Sequence, residues 1–486
     1  MKKICIILFS LVAGAVALQS CEDMDDNAVP VNDFIWKGLN LYYLWQEDIP
    51  NLADDRFSNQ GQLNNFLQAY DSPETLFESL LYREDAGGRK VDRWSVLFSD
   101  FRTLENLLQG TSKSNGMEYG LSYTDASQIG VFGYVRYILP DTDAAGKDIH
   151  RGDIFYAING TTLNRSNYQE LLSQGTYTLN LADDINGTIT PNGRTVSLTK
   201  SEYSENPVYI HNTYTSGSHK IGYLMYNGFY SNYDAELNNA FGQFASEGVT
   251  DLVLDLRYNG GGSVRTATYL ASMITGQFNG QLFAREQWNA KLQAYLESNN
   301  ANSLDNLFTD KLTNNTTINS LNLNKVYILT SGTTASASEL VINCLQPYID
   351  VVVIGDTTTG KNVGSVTLYD SPTFSSKDRN GSHRYAMQPI VLKTVNKSGF
   401  GEYSDGIAPQ VILKEKLTTL GILGNPAEPL YAAAIAKITQ LGKPFLQDNE
   451  TGLKTFKDSK SIRPFGNEMY KEEMPNGSLY LLKNLQ

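Results

Sequence analysis

"KVYILTSGTTASASELVINCLQPY", Lys325 to Tyr348, decides the fold class of this chain. Val326 to Leu329 form a short apolar run that reads as a buried strand. Gly332 and its flanking residues turn the chain. Leu340, Val341, Cys344, Leu345 and Tyr348 then recur on one face at helical spacing. The neighbouring stretches repeat the pattern. "KIGYLMYNGF" is a strand, and "YDAELNNAFGQFASEG" is a helix with Leu237, Ala240, Phe241 and Phe244 on one face and Gly248 near its end. "VTDLVLDLRYNGGG" is a buried strand entering a glycine turn, and "VVVIGDTTTG" is another strand and turn. Strands alternating with helices predict an α/β domain over residues 205–441 with a mainly parallel sheet. Residues 299–323, rich in Asn, Leu, Ser and Thr, read as a surface insertion and candidate lid.

Upstream the pattern changes. Residues 33–110 read as a helical N-terminal domain: "NDFIWKGLNLYYLW" spaces Phe34, Ile35, Leu39, Tyr42 and Tyr43 helically, and Ser72 ahead of Pro73 and Glu74 is a helix start. Residues 116–200 read as short strands with turns. "GVFGYVRYI" followed by "DAAGKDIHRGDIFYAING" resembles a PDZ domain. That resemblance implies that "EYGLSY", Glu118 to Tyr123, is the carboxylate-binding loop, with Tyr119, Gly120, Leu121 and Ser122 receiving a peptide as an added strand. Residues 442–486 form a polar tail to which no function is assigned.

A length of 486 residues predicts two or three domains. A net charge of -13 argues against a nucleic-acid partner, which needs a basic face. Four histidines and three cysteines, none clustered, argue against structural zinc. "MKKICIILFSLVAGAVALQSC" has two lysines, an apolar run and small residues, so residues 1–20 read as a signal peptide. "LQSC" resembles the bacterial lipoprotein signal, which implies lipidation of Cys21, a tether over 21–32 and a lipid-anchored protein of the cell envelope. The expected site is the outer membrane; the acidic "EDMDD" resembles a surface-export signal. Cys344 would then be the one thiol left in the mature chain, so no intramolecular disulfide can form.

Ser336 and Ser338 stand where the strand and turn enter the helix. Ser336-Ala337-Ser338-Glu339 fits a Ser-x-x-Glu capping box, and local sequence favours that reading. The same position suits a nucleophile, because free N–H groups at a helix start favour developing negative charge. The Ala337 N–H could then serve an oxyanion. A serine needs a base. None of the four histidines is suggestively placed, whereas "TTTGKNVG" puts Lys361 in a glycine-flanked turn after an apolar strand, where burial would depress its pKa. An exposed turn lysine is the ordinary alternative. Gly260 to Gly262 of "DLRYNGGG" let a substrate backbone come close, and Gly260 or Gly261 could give the second oxyanion donor.

Together these three parts resemble the tail-specific, or carboxyl-terminal processing, peptidase family. Its serine and lysine stand 25 residues apart, which selects Ser336 with Lys361 over Ser338. "GEYSDGIAPQVIL" and "GNPAEPLYAAAIAKI" are similar to the family's later strand entry and final helix. The resemblance implies a multidomain α+β and α/β protein whose peptidase domain is crotonase- or ClpP-like. It also implies a serine endopeptidase with a Ser–Lys dyad, peptide or protein substrates and no cofactor. Two positions depart from the pattern. Ser365 stands where some members carry a Gln that orients the amine, leaving Ser365 or Thr359 for that role, and Gln410 stands where Asp is usual. Two other functions compete: a non-catalytic surface lipoprotein that binds peptides, and a glycan-capturing lipoprotein with exposed aromatic platforms.

Overall fold

The computed structural model of the chain describes residues 30–440, 455–463 and 465–474. The signal peptide, most of the tether and Cys21 lie outside the described residues. Helices α1 (Pro30–Tyr42), α2 (Gln60–Leu67), α3 (Pro73–Ser79) and α4 (Phe101–Leu108) open the fold. α3 starts as its sequence dictates: Ser72 caps it, accepting a hydrogen bond from Thr75 N–H, with Pro73 in the first turn. Phe34, Ile35, Leu39, Tyr42 and Tyr43 are buried, and they pack with Val366, Leu368 and Leu392 of the later α/β region. The helical region is therefore a wall of the main body.

An antiparallel β unit follows, made of β1 (Met117–Tyr123), β2 (Val131–Ile138), β3 (Ile154–Ile158), β4 (Thr176–Ile185) and β5 (Thr188–Thr199), paired in that order. The segment expected to be a binding loop is strand β1. Met117, Tyr119 and Leu121 alternate into the unit's core, and that period of two holds the segment extended.

The α/β region has two sheets. In the first, β6 (Val208–Ser216), β7 (His219–Tyr226), β8 (Asp251–Asp255), β12 (Lys325–Thr330), β13 (Asp350–Gly355) and β16 (Val411–Ile412) lie side by side. All pairs except β6–β7 are parallel. Helices α5 (Asp234–Glu247), α6 (Val264–Thr275) and α7 (Ala337–Leu345) share one core with it, through Phe241, Ile274, Leu340, Leu254 and Ile328. Helix α8 (Pro429–Thr439) packs through Tyr431 and Ala434 against Tyr223, Val253 and Leu329 in a separate core. Helices on both faces explain why β8 and β12 read as continuous apolar runs. Gly248 ends α5 in the left-handed conformation.

The second sheet is ordered β9 (Gly262–Ser263), β18 (Met469–Lys471), β14 (Val363–Val366), β15 (Ile390–Val395), β10 (Leu282–Trp288), β11 (Asp305–Leu307). The stretch read as a surface insertion supplies β11, and its Phe308, Leu312, Ile318 and Leu323 are core residues. Its polar composition masked a thin set of buried side chains. The C-terminal tail also enters the fold: β17 (Thr455–Asp458) pairs antiparallel with β1, and β18 lies between β9 and β14.

One buried ionic cluster ties the β unit to the α/β region. The Arg257 side chain, fully buried, meets Asp255 at 2.8 Å, Glu428 at 2.7 Å and Glu415 at 3.1 Å. Arg151, from the loop before β3, reaches the same Glu415 at 2.7 Å and donates to Arg136 O at 2.6 Å. Removing one partner of such a cluster leaves uncompensated buried charge. Arg257→Ala is expected to lower unfolding stability by about 3–5 kcal/mol in denaturant titration; a loss below about 1 kcal/mol would contradict a structural role for the cluster.

Candidate active site

Ser336 sits at the N-terminus of α7, fully buried, with φ 66° and ψ -117°. A side-chain-bearing residue in that region is strained by roughly 1–3 kcal/mol. The surrounding turn fixes it. Ala335 N–H donates to Asn259 O at 3.1 Å, Thr334 Oγ1 donates to Leu256 O at 2.9 Å, and Ser338 Oγ donates to Asn259 O at 3.2 Å. Ser338 thus ties its helix to the glycine turn. The Ser336 hydroxyl is buried without a hydrogen-bond partner among the described residues.

Glu339 joins the two sequence-distant parts. Its Oε2 accepts Ser336 N–H at 2.7 Å and Lys361 N–H at 2.8 Å; its Oε1 accepts Gly360 N–H at 2.6 Å and the Thr358 hydroxyl. The capping residue expected from sequence is therefore also a clamp that holds the chain before β14 against the start of α7. Burial pushes the Glu339 carboxyl pKa up, and these hydrogen bonds oppose the shift.

Lys361 is fully buried, not an exposed turn lysine. Its ammonium donates to Asn467 O at 2.7 Å and Glu468 Oε2 at 3.1 Å, both on the tail, and lies 5.5 Å from the Trp94 ring centroid. Desolvation pulls the amine below its ordinary pKa, while Glu468, Asp92 and Glu339 act to raise it. Burial pushes the Glu468 carboxyl up to about 7, against the pull of Lys361. Neither residue proposed to orient the amine touches it in this state. Ser365 Oγ donates to Met469 O at 3.2 Å and accepts from Gln388 Nε2 at 3.1 Å, and Thr359 Oγ1 donates to Gly332 O at 3.0 Å.

The glycine turn lies directly under the tail. A Cβ on Gly261 (φ 111°) would fall 2.0 Å from Glu468 O, 2.6 Å from Ser336 Cβ and 3.0 Å from Ala337 N; one on Gly260 would fall 2.3 Å from Gly466 O. Backbone approach this close requires glycine. The oxyanion donors expected at Gly260 or Gly261 stand in a turn whose N–H groups are partly engaged. Gly261 N–H is held by Asn259 Oδ1 at 2.8 Å, and Gly262 N–H donates to the Glu468 carbonyl. Ala337 N–H is in the first turn of α7, where N–H groups lack helical partners. Tyr119, Gly120, Leu121 and Ser122 lie on β1, some with β17 alongside: Gly120 pairs with Asp458, Leu121 with Lys457 and Ser122 with Thr455. Tyr119 N–H donates to Ser459 Oγ at 3.2 Å.

Glu339, Asn259 and Glu468 join the site through contacts that sequence spacing does not display. The Ser-x-x-Glu spacing exposed Glu339 only as a cap; its reach to Lys361 depends on a contact across 22 residues. Two outcomes test the local geometry. Ser336→Gly is expected to be more stable than Ser336→Ala by about 1 kcal/mol in thermal or denaturant unfolding, because glycine tolerates the positive φ; equal stabilities would contradict the strain. Glu339→Gln is expected to cost about 1–3 kcal/mol, since an NH₂ group then faces N–H donors; an unchanged unfolding midpoint would contradict the clamp.

The comparisons with known proteins agree with this architecture. Residues 220–378 match the model for peptidase family S41, and residues 30–96 match the model for the peptidase S41 N-terminal domain. A carboxyl-terminal-processing protease of Picosynechococcus sp. is 24% identical over 304 residues, 62% of this chain and 66% of that protein. A chloroplastic C-terminal processing peptidase of Tetradesmus obliquus is 26% identical over 228 residues, 44% of each chain. The chain thus spans between about half and two thirds of the length of these curated relatives. A crystal structure from Bacteroides fragilis assigned to the S41 proteases superposes with a TM-score of 0.64 at 26% identity, covering 84% of this chain and 98% of that one. The chain thus carries a peptidase family S41 domain and an S41 N-terminal domain, and it is similar in sequence to the carboxyl-terminal processing serine peptidases.

Proposed function

We propose that this protein is a serine endopeptidase that cleaves peptides or unfolded proteins with a Ser336–Lys361 dyad. The observation that carries the reading is the shared Glu339 carboxylate, which holds the Ser336 and Lys361 backbones together in a buried site. With the amine released from Glu468, neutral Lys361 takes the Ser336 proton as the hydroxyl attacks the scissile carbonyl. The amine then returns that proton to the leaving amine. Ala337 N–H and Gly262 N–H are the donors that would meet the oxyanion. The second is assigned to Gly262 because its N–H already holds a peptide carbonyl beside Ser336. The β unit, read as PDZ-like, receives a substrate strand along β1, as β17 does in this structure. The same reading anchors the protein to the cell envelope through a lipid on Cys21, without a role for a cofactor.

A peptide-binding protein without catalysis would need neither a serine with a strained backbone and an unpartnered hydroxyl nor a buried lysine tied to it through Glu339; both carry a folding cost that catalysis explains. The test is hydrolysis of labelled unfolded casein. Ser336→Ala is expected to abolish turnover, and Lys361→Ala to lower it by about 10²–10⁴-fold. If the wild type binds casein as tightly as these variants and none cleaves, the reading is wrong. The working form of Lys361 is the neutral amine, whose pKa lies below its ordinary value of 10.5. Turnover should therefore rise with pH through that depressed pKa and level off above it; a rate flat from about pH 6 to 10 contradicts a lysine base.

A further inference from the structure

The C-terminal tail runs from the β1 edge to the turns that hold Ser336 and Lys361. Along β1 it adds β17 as an antiparallel strand, and Phe456 packs against Tyr123, tilted, and Tyr168, edge-on, at centroid distances of 4.6 and 5.3 Å. Charges on the body are matched by opposite charges on the tail. Arg136 meets Asp458 at 2.7 Å with both side chains buried, Glu118 pairs with Arg463, and Lys460 donates to Asn227 O at 2.6 Å with Glu205 at 3.6 Å. Buried charges of this kind need partners, and the tail supplies them. Past Gly466 the backbone runs over Gly260 and Gly261, and β18 completes a six-stranded sheet by pairing in parallel with both β9 and β14. Glu468 stands at the centre. Its carbonyl accepts from Gly262 N–H, and its carboxylate and the Asn467 carbonyl hold the Lys361 ammonium.

We infer that residues 455–474 are a built-in occupant of the substrate groove that keeps the peptidase latent, with Glu468 holding the base away from Ser336 and β18 filling the slot between β9 and β14. The inference rests on the peptidase reading for its latency and on the strand pairing alone for its docking. The groove has a defined ligand class: an extended peptide with an aromatic anchor at its β1 end, an acidic residue two positions on, and an acidic side chain facing Lys361. A substrate must displace this segment to reach the site, so the apparent affinity for substrate is reduced by the fraction of chains with the tail docked.

Two full-length variants test it. Asp458→Ala/Arg463→Ala removes two of the tail's matching charges, those facing Arg136 and Glu118, and Glu468→Gln removes only the ion pair with Lys361. Hydrogen exchange is followed by mass spectrometry on full-length chains carrying Ser336→Ala, so that catalysis cannot alter the tail. The amides of residues 469–471 should exchange at least about tenfold more slowly than in the same chain with Asp458→Ala/Arg463→Ala. With Ser336 intact, casein turnover should rise about fivefold or more in both tail variants, and a synthetic peptide of residues 455–474 should suppress the rise. Tail amides that exchange as an unstructured peptide overturn the docking. Equal turnover in the wild type and both variants overturns the latency, as does mass-spectrometric detection of a cut after Glu468 in the chain with Ser336 intact, which would make the tail a substrate. Absence of cleavage by every variant removes the peptidase reading and the latency with it, while protected amides leave the docking standing.

Discussion

One buried carboxylate organises this site. Glu339 accepts N–H groups from Ser336, Gly360 and Lys361, and so joins two turns that the chain places 25 residues apart. Neither turn would hold its conformation alone. Ser336 occupies a strained backbone region, and Lys361 enters a fully buried environment. The strain and the desolvation are tolerated because the surrounding hydrogen bonds determine both positions more than once. Asn259 performs the corresponding task on the other side, its carbonyl on the Ser336 turn and its side chain on Gly261 N–H. The glycine turn, the serine turn and the lysine turn are thus fixed to one another by backbone hydrogen bonds.

Around that centre, each region contributes a surface and not a separate module. Trp94 from the helical region lies over Lys361, Arg136 from the β unit meets the tail, and Arg151 shares Glu415 with Arg257 of the α/β region. The tail runs from the β1 edge of one sheet, where β17 pairs, into the gap between β9 and β14 of another, where β18 pairs. β18 pairs with both edges of that gap through its backbone. Charge is buried at a few positions along that path, Arg136, Glu118 and Lys361.

The α/β class was legible because its strands are buried on both faces and its helices keep a clean apolar stripe: "DLVLD" and "KVYILT" differ plainly from the alternating β1. Ser336 and Lys361 could be paired by spacing. Glu339 could be seen only as a cap, because its second task depends on a fold that brings residue 361 back to residue 336. Which N–H of the three successive glycines is engaged could not be seen either, since they give no local clue that Asn259 holds Gly261 N–H and the tail holds Gly262 N–H. The tail strands were invisible for a different reason. "TFKD" and "MYK" are too short and polar to specify a strand, and they become strands by pairing with partners more than 100 residues away. Residues 299–323 misled in the same way, through core side chains separated by polar turns.

The fold removes the Lys361 amine from water, which is what the proposed role as a base requires. Its ionisation can be read directly by nuclear magnetic resonance of the full chain with ¹³C at lysine Cε, the Lys361 signal being assigned by its loss in Lys361→Arg. A titration midpoint below 10.5, the ordinary lysine value, is the predicted result. A midpoint at or above that value would mean that the amine remains solvated or fully stabilised as the cation, and would contradict the account.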